Sequence, residues 1–222
     1  MRTCIRVAVR NRKSDGLANS NKGSGVSSQE NVRMDPAALA RLKAACHTDE
    51  LVSLLAYQGL DFSNSDLEGL GLEEFWVDDC HFKASVLDGA RALCWRVRRC
   101  RFDGASLNNL CMFDSRIEDS VFAYAMLRGA ELADVTLGGC DFTDAELVNA
   151  RLENCHLLDT NFRQANLLGV CFTGSHFERV DFTEADCTNA DFRGCRFTEV
   201  NWTSAILEGA QFDPGVHPEP RN

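Results

Sequence analysis

Proline is scarce in this 222-residue chain, four in all, and tyrosine scarcer, with two against fourteen phenylalanines. Long apolar runs are missing, so no segment is expected to span a bilayer. Met1–Arg10 also lacks the continuous apolar core of a secretory signal. Basic charge is in deficit: Lys+Arg 23 against Asp+Glu 33 gives a net charge of −10, which disfavours direct binding of nucleic acid or an anionic membrane. Catalytic signatures are absent too. There is no Walker loop, Rossmann glycine fingerprint, HExxH, GxSxG or CxxC. The close Cys-His pairs, Cys46-His47 and Cys80-His81, are sequence neighbours, and neighbours on a strand point to opposite sides, so Cys80-His81 does not make a nucleophile and its base. No catalytic residue, cofactor site or metal site is expected.

What the chain does have is an apolar fraction of 45%, enough to bury a core. It also has eleven cysteines. Without an export signal, and with an odd count, these read as reduced thiols of a cytoplasmic protein.

An apolar residue recurs at every fifth position from Phe62 to Phe212, thirty-one times without a slip. Two residues before each sits, in most cases, a small one, such as Ala105, Ala145 or Ala190, or Cys80, Cys100, Cys140, Cys155 or Cys195. A period of five fits neither the 3.6 of a helix nor the 2.0 of a flat strand. The chain must turn a corner every five residues, with the small and large residues pointing inward and the residue between them outward. The corner then falls two residues after each large one. Of the thirty corners from Asn64 to Gly209, nine are Gly, five Asn and six Asp, residues that tolerate the left-handed backbone of a tight turn.

A second period counts the corners in one circuit. Phe62, Phe82, Phe102, Phe122, Phe142, Phe162, Phe182 and Trp202 are spaced twenty apart, so four pentapeptides make a coil and the aromatic rings stack along one inner wall. Ala105-Ser-Leu-Asn-Asn, Ala145-Glu-Leu-Val-Asn, Ala165-Asn-Leu-Leu-Gly and Ala190-Asp-Phe-Arg-Gly resemble the A-(D/N)-(L/F)-x-x unit of pentapeptide-repeat proteins, over residues 60–213. The resemblance implies an all-β solenoid, a right-handed quadrilateral β-helix of nearly eight coils.

A solenoid needs capping at its ends. Asp35-Pro36 starts a helix that continues through Ala45, and Thr48 is expected to cap a second over Leu51–Tyr57, stopped by Gly59. The expected organisation is a flexible basic arm (1–33), a short helical N-terminal cap (34–59), the β-helix (60–213) and a disordered tail (214–222). The arm, with seven Lys/Arg and two acids, has the composition of an export or transit address, or of sequence upstream of a start at Met34.

Outward positions supply the candidate binding residues. Trp76, Leu93, Phe113, Tyr124 and Met126 are apolar at outward phase within the first three to four coils, and such clusters attract partners. Cys94 and Cys111 lie beside them. Arg96, Arg98, Arg99 and Arg116 form a basic stripe, continued at twenty-residue steps by Thr136, His156, His176 and Arg196. Residues 60–213 carry 13 Lys+Arg against 27 Asp+Glu, a net −14.

These features point to a non-enzymatic protein-binding scaffold acting through its outer faces, as a monomer or weak dimer. The resemblance implies an alternative partner, bacterial DNA gyrase, because the quinolone-resistance members of the family are acidic rods that mimic DNA. Unlike in those members, no helix is expected after Gln211-Phe-Asp-Pro-Gly, and no loop interrupts the five-residue register. A third expectation is a secreted bacterial effector.

Overall fold

The computed structural model describes residues 34–48, 51–216 and 218, all within the compact unit that begins at Val32. The expected basic arm lies outside the described residues, as does most of the expected tail. Among the described residues the chain forms one helix, Pro36–Ala44 (α1), and fourteen short strands. These are Val52–Ser53 (β1), Ala56–Gln58 (β2), Gly71–Glu73 (β3), Trp76–Asp78 (β4), Arg91–Leu93 (β5), Arg96–Arg98 (β6), Cys111–Phe113 (β7), Arg116–Glu118 (β8), Glu131–Ala133 (β9), Thr136–Gly138 (β10), Arg151–Glu153 (β11), His156–Leu158 (β12), His176–Glu178 (β13) and Arg196–Thr198 (β14).

Every strand pairs in parallel with the strand twenty residues away, as Val97 with Ile117 or Met112 with Leu132. The odd strands from β1 to β11 build one wall, and β2, β4, β6, β8, β10, β12, β13 and β14 build a second of eight strands. Eight strands one turn apart span seven turns. The two remaining walls are ladders of isolated bridges with the same spacing, running from Asp61–His81 to Asp181–Asn201 and from Asp66–Val86 to Asp186–Ile206. The protein is a β-solenoid with four walls per coil.

All thirty corners from Asn64 to Gly209 have positive φ, between 49° and 73°. The left-handed backbone therefore recurs even where the residue is not Gly, Asn or Asp, as at Ala84, Arg99 and Tyr124. A single left-handed residue costs about 1 kcal/mol, and the ladder on either side over-determines each corner. The inward residues form one core. Phe62 to Trp202 stack as seven successive ring pairs with centroids 4.5–5.4 Å apart, the spacing of neighbouring strands.

The N-terminal cap is half of what the sequence suggests. Asp35 caps α1, its Oδ1 accepting from the Ala37 and Ala38 amides at 2.9 and 3.2 Å, and Leu42 and Ala45 join the core. The second helix expected over Leu51–Tyr57 is absent, and β1 and β2 stand in its place. The physical reason is register. Val52 and Tyr57 continue the five-residue series back from Phe62, and both pack on the core, so the first coil takes up a segment that isolated capping signals would assign to a helix. Arg91 ties the cap to the coils by donating from Nη2 to the Thr48 carbonyl. Gly71, opposite Arg91 in register, leaves room for it, since a Cβ there would lie 2.8 Å from that nitrogen.

Cys80, Cys100, Cys140, Cys155, Cys187 and Cys195 are buried free thiols. Burial is the main cause that pushes Cys140 and Cys155 up to about 12 from an ordinary 9.0. The unfolded chain ionises these thiols near 9 while the folded chain keeps them neutral. Their stabilising contribution is therefore complete below about pH 9 and is lost as the pH climbs toward about 12. We expect urea midpoints to fall over that interval, and the fall to shrink in a Cys140→Ala, Cys155→Ala variant. In thiol titration at neutral pH, Cys140, Cys155 and Cys187 should react only after denaturant is added, later than the half-buried Cys94 and Cys171. Equal rates for both groups would refute the inward placement.

Candidate functional site

The residues singled out as apolar and outward do not form one patch. Leu93 and Phe113 are directly opposite each other on β5 and β7, both half-buried. Trp76 stands on the adjoining wall, at the start of β4, with half of its surface exposed (53%). Tyr124 occupies the corner after Phe122, 66% exposed, and Met126 begins the following wall. One corner of the solenoid thus carries Trp76, Leu93 and Phe113. Tyr124 and Met126 belong to another, where Val86 and Met126 flank Ser106 in one bridge ladder. A period of five alone does not say which outward residues share a wall; the twenty-residue period does, and under it Leu93 and Phe113 fall on one column and Trp76, Tyr124 and Met126 on three others.

The arginines of the expected basic stripe differ in their partners. Arg98 and Arg99 both pair with Asp78, each at 2.8 Å, and Arg116 pairs with Glu118 on its own strand at 2.6 Å. Arg96 is different. Its guanidinium lies over the Trp76 ring, Cζ 5.5 Å from the centroid, and among the described residues no carboxylate pairs with it. Surface pairs of this kind each contribute at most about 1 kcal/mol, so the arrangement bears on recognition more than on stability. A shallow groove runs along this wall past Ala56, Trp76, Arg96, Arg98 and Arg116. Further along the same column the His156 and His176 rings stack, 5.1 Å apart and 19° from parallel.

Little in the geometry suggests catalysis. Cys80 is buried while His81 is half-exposed on the opposite side of the chain. Among the described residues, no three His, Cys, Asp or Glu side chains are grouped to hold a metal ion, and no helix is long and apolar enough to cross a membrane.

Composition-based reading passed over a set of inward polar residues. Ser115, Ser120 and Ser175 occupy the small slot, and their hydroxyl oxygens accept from the buried amides of Trp95, Cys100 and Cys155, one coil earlier, at 2.9, 3.1 and 2.9 Å. The signal was available: serine at the phase that elsewhere holds Ala or Cys.

Residues 145–215 match the family model for the pentapeptide repeat region. Among curated proteins no sequence matches. Several solved structures are similar. QnrB1, described as a plasmid-mediated fluoroquinolone resistance protein, superimposes with a TM-score of 0.64 and 18% identity, over 77% of this chain and 87% of that one. Rfr23, a pentapeptide repeat protein from the cyanobacterium Cyanothece, is 30% identical over 40% of this chain and 60% of its own, with a TM-score of 0.39. HetL, a pentapeptide repeat protein involved in heterocyst differentiation regulation in the cyanobacterium Nostoc, is 16% identical over 83% of this chain and 99% of its own, with a TM-score of 0.34. With its five-residue register, its left-handed corners and its four walls per coil, this chain has a fold similar to that of QnrB1, and its residues 145–215 match the pentapeptide repeat region.

Proposed function

We propose that the chain is a non-enzymatic protein-binding scaffold, and that a protein partner docks on the corner formed by Trp76, Leu93 and Phe113. The observation that carries this reading is the half-exposed Trp76 ring beside two large apolar side chains stacked on the adjoining wall. Aromatic and Arg side chains are what interface centres prefer, and Arg96 and Arg116 adjoin them. A second reading, a DNA-like binder of bacterial gyrase, is favoured by the net −14 of residues 60–213.

The test is Phe113→Asp. A charge at the centre of the docking surface should weaken partner capture at least about tenfold and leave the thermal midpoint within a few degrees of wild type. Gyrase supercoiling is assayed alongside. A purified chain that inhibits or protects gyrase, with Phe113→Asp as active as wild type, would transfer the function to the acidic walls. An unfolded Phe113→Asp would show Phe113 to be part of the core, and the corner would no longer be a docking surface.

A further inference from the structure

We propose that the column Trp76–Arg96–Arg116 recognises an acidic segment of the partner, with a carboxylate held between the two guanidiniums and an apolar side chain laid on Trp76. This rests on the docking reading above and names its chemistry. The column stands in the eight-stranded wall and runs from Ala56 through Trp76, Arg96 and Arg116 to Arg196, each residue in register with the next. It contains no Asp or Glu, although residues 60–213 hold 27.

Two features of the column are unfavourable for the fold itself. Arg96 and Arg116 are directly opposite on neighbouring strands, about 4.8 Å apart along the wall, and like charges so placed are destabilising. Trp76, the residue before them, exposes an aromatic ring to water. Among the described residues, the neighbouring carboxylates relieve the repulsion at Arg116 but not at Arg96. Asp78 is shared by Arg98 and Arg99, Glu118 pairs with Arg116 on the same strand, and Arg96 rests on Trp76. A carboxylate arriving from solvent would meet two guanidiniums whose forked donors suit it.

The surrounding charge selects the kind of anion. Around a body of net −14, repulsion grows with the total charge of the visitor, so a nucleic acid is penalised along its whole length. A short segment carrying few carboxylates is penalised little. The groove past Ala56, Trp76 and Arg116 offers such a segment apolar contact beside the charges, and anchors of that kind stabilise an interface.

Trp76 supplies its own readout, because Trp95 and Trp202 are buried and external quenching of tryptophan fluorescence reports chiefly on Trp76. The probe is a fluorescein-labelled peptide alternating glutamate with leucine, with its glutamine counterpart and an oligothymidylate as comparisons. Wild type should bind the glutamate peptide, protect Trp76 from acrylamide and lose affinity steeply with salt. The Arg96→Gln, Arg116→Gln variant should bind at least about tenfold more weakly, with a thermal midpoint equal to wild type or higher at low salt. Undiminished peptide binding by that variant, glutamine peptide bound as well as glutamate, tighter binding of the oligothymidylate, or a markedly lowered midpoint would each overturn the proposal. Partner capture separates the two readings. If Phe113→Asp abolishes it and the double arginine variant does not, the docking corner stands and its acidic recognition fails; if neither variant matters, both fall.

Discussion

Phe142→Ala should lower the stability of the solenoid by about 3–5 kcal/mol, read as a shifted urea midpoint. Phe142 is 1% exposed and sits in the ring stack, 4.8 Å from Phe122 and 5.0 Å from Phe162. Its loss removes a buried aromatic volume and both stacking contacts, and neither neighbour can fill the gap, because the backbone ladder fixes each ring one strand spacing from the next. The comparison is Thr143→Ala. Sequence phase alone treats Thr143 as an outward residue whose loss changes little. The structure gives its hydroxyl two partners, donating to Asp141 Oδ1 at 2.6 Å and accepting from Asn161 Nδ2 at 2.9 Å, so a cost of about 1 kcal/mol is expected. A Phe142→Ala midpoint no lower than that of Thr143→Ala would refute the phase assignment.

Ser175→Ala is the second large effect, and it comes from polarity in the core. The Ser175 hydroxyl accepts from the Cys155 amide at 2.9 Å and donates to the Leu152 carbonyl at 2.7 Å, with the residue 1% exposed. Alanine has nearly the same volume, so little cavity forms. What remains is a buried amide and a carbonyl without this partner, worth about 2–3 kcal/mol together. Ser175→Cys should recover part of that loss, since Cys100 already accepts from the Cys80 amide through sulfur at 3.4 Å. If Ser175→Ala melts like wild type, the inward serines are fillers and not bridges.

Much of the fold was legible because a five-residue register fixes the facing of every residue, and the twenty-residue aromatic series fixes the number of walls. The failures have physical causes. Leu51–Tyr57 reads as a helix when its capping signals are weighed locally, but Val52 and Tyr57 complete a ladder with Leu72 and Val77, and tertiary pairing overrides local preference. The outward apolar residues are legible one by one from their phase, but which of them share a wall is not, since outward phase alone does not distinguish the wall of Phe113 from that of Met126. The partnering of Arg98, Arg99 and Arg116 was foreseeable in kind. The exception, Arg96 stacked on Trp76, depends on side-chain direction, which spacing does not report.

The ladder of twenty-residue steps also governs how the molecule comes apart. Each coil is held only by the coils immediately before and after it, so an interior coil cannot melt without parting two sets of neighbours, whereas a terminal coil parts one. At the start, α1 and the Arg91–Thr48 contact bind the first coils down. At the far end Phe197, Leu207 and Phe212 are only partly covered. The described coils around Phe197 and Phe212 are therefore expected to part more readily than those around Trp76, so the corner proposed for docking should keep its shape after they have loosened.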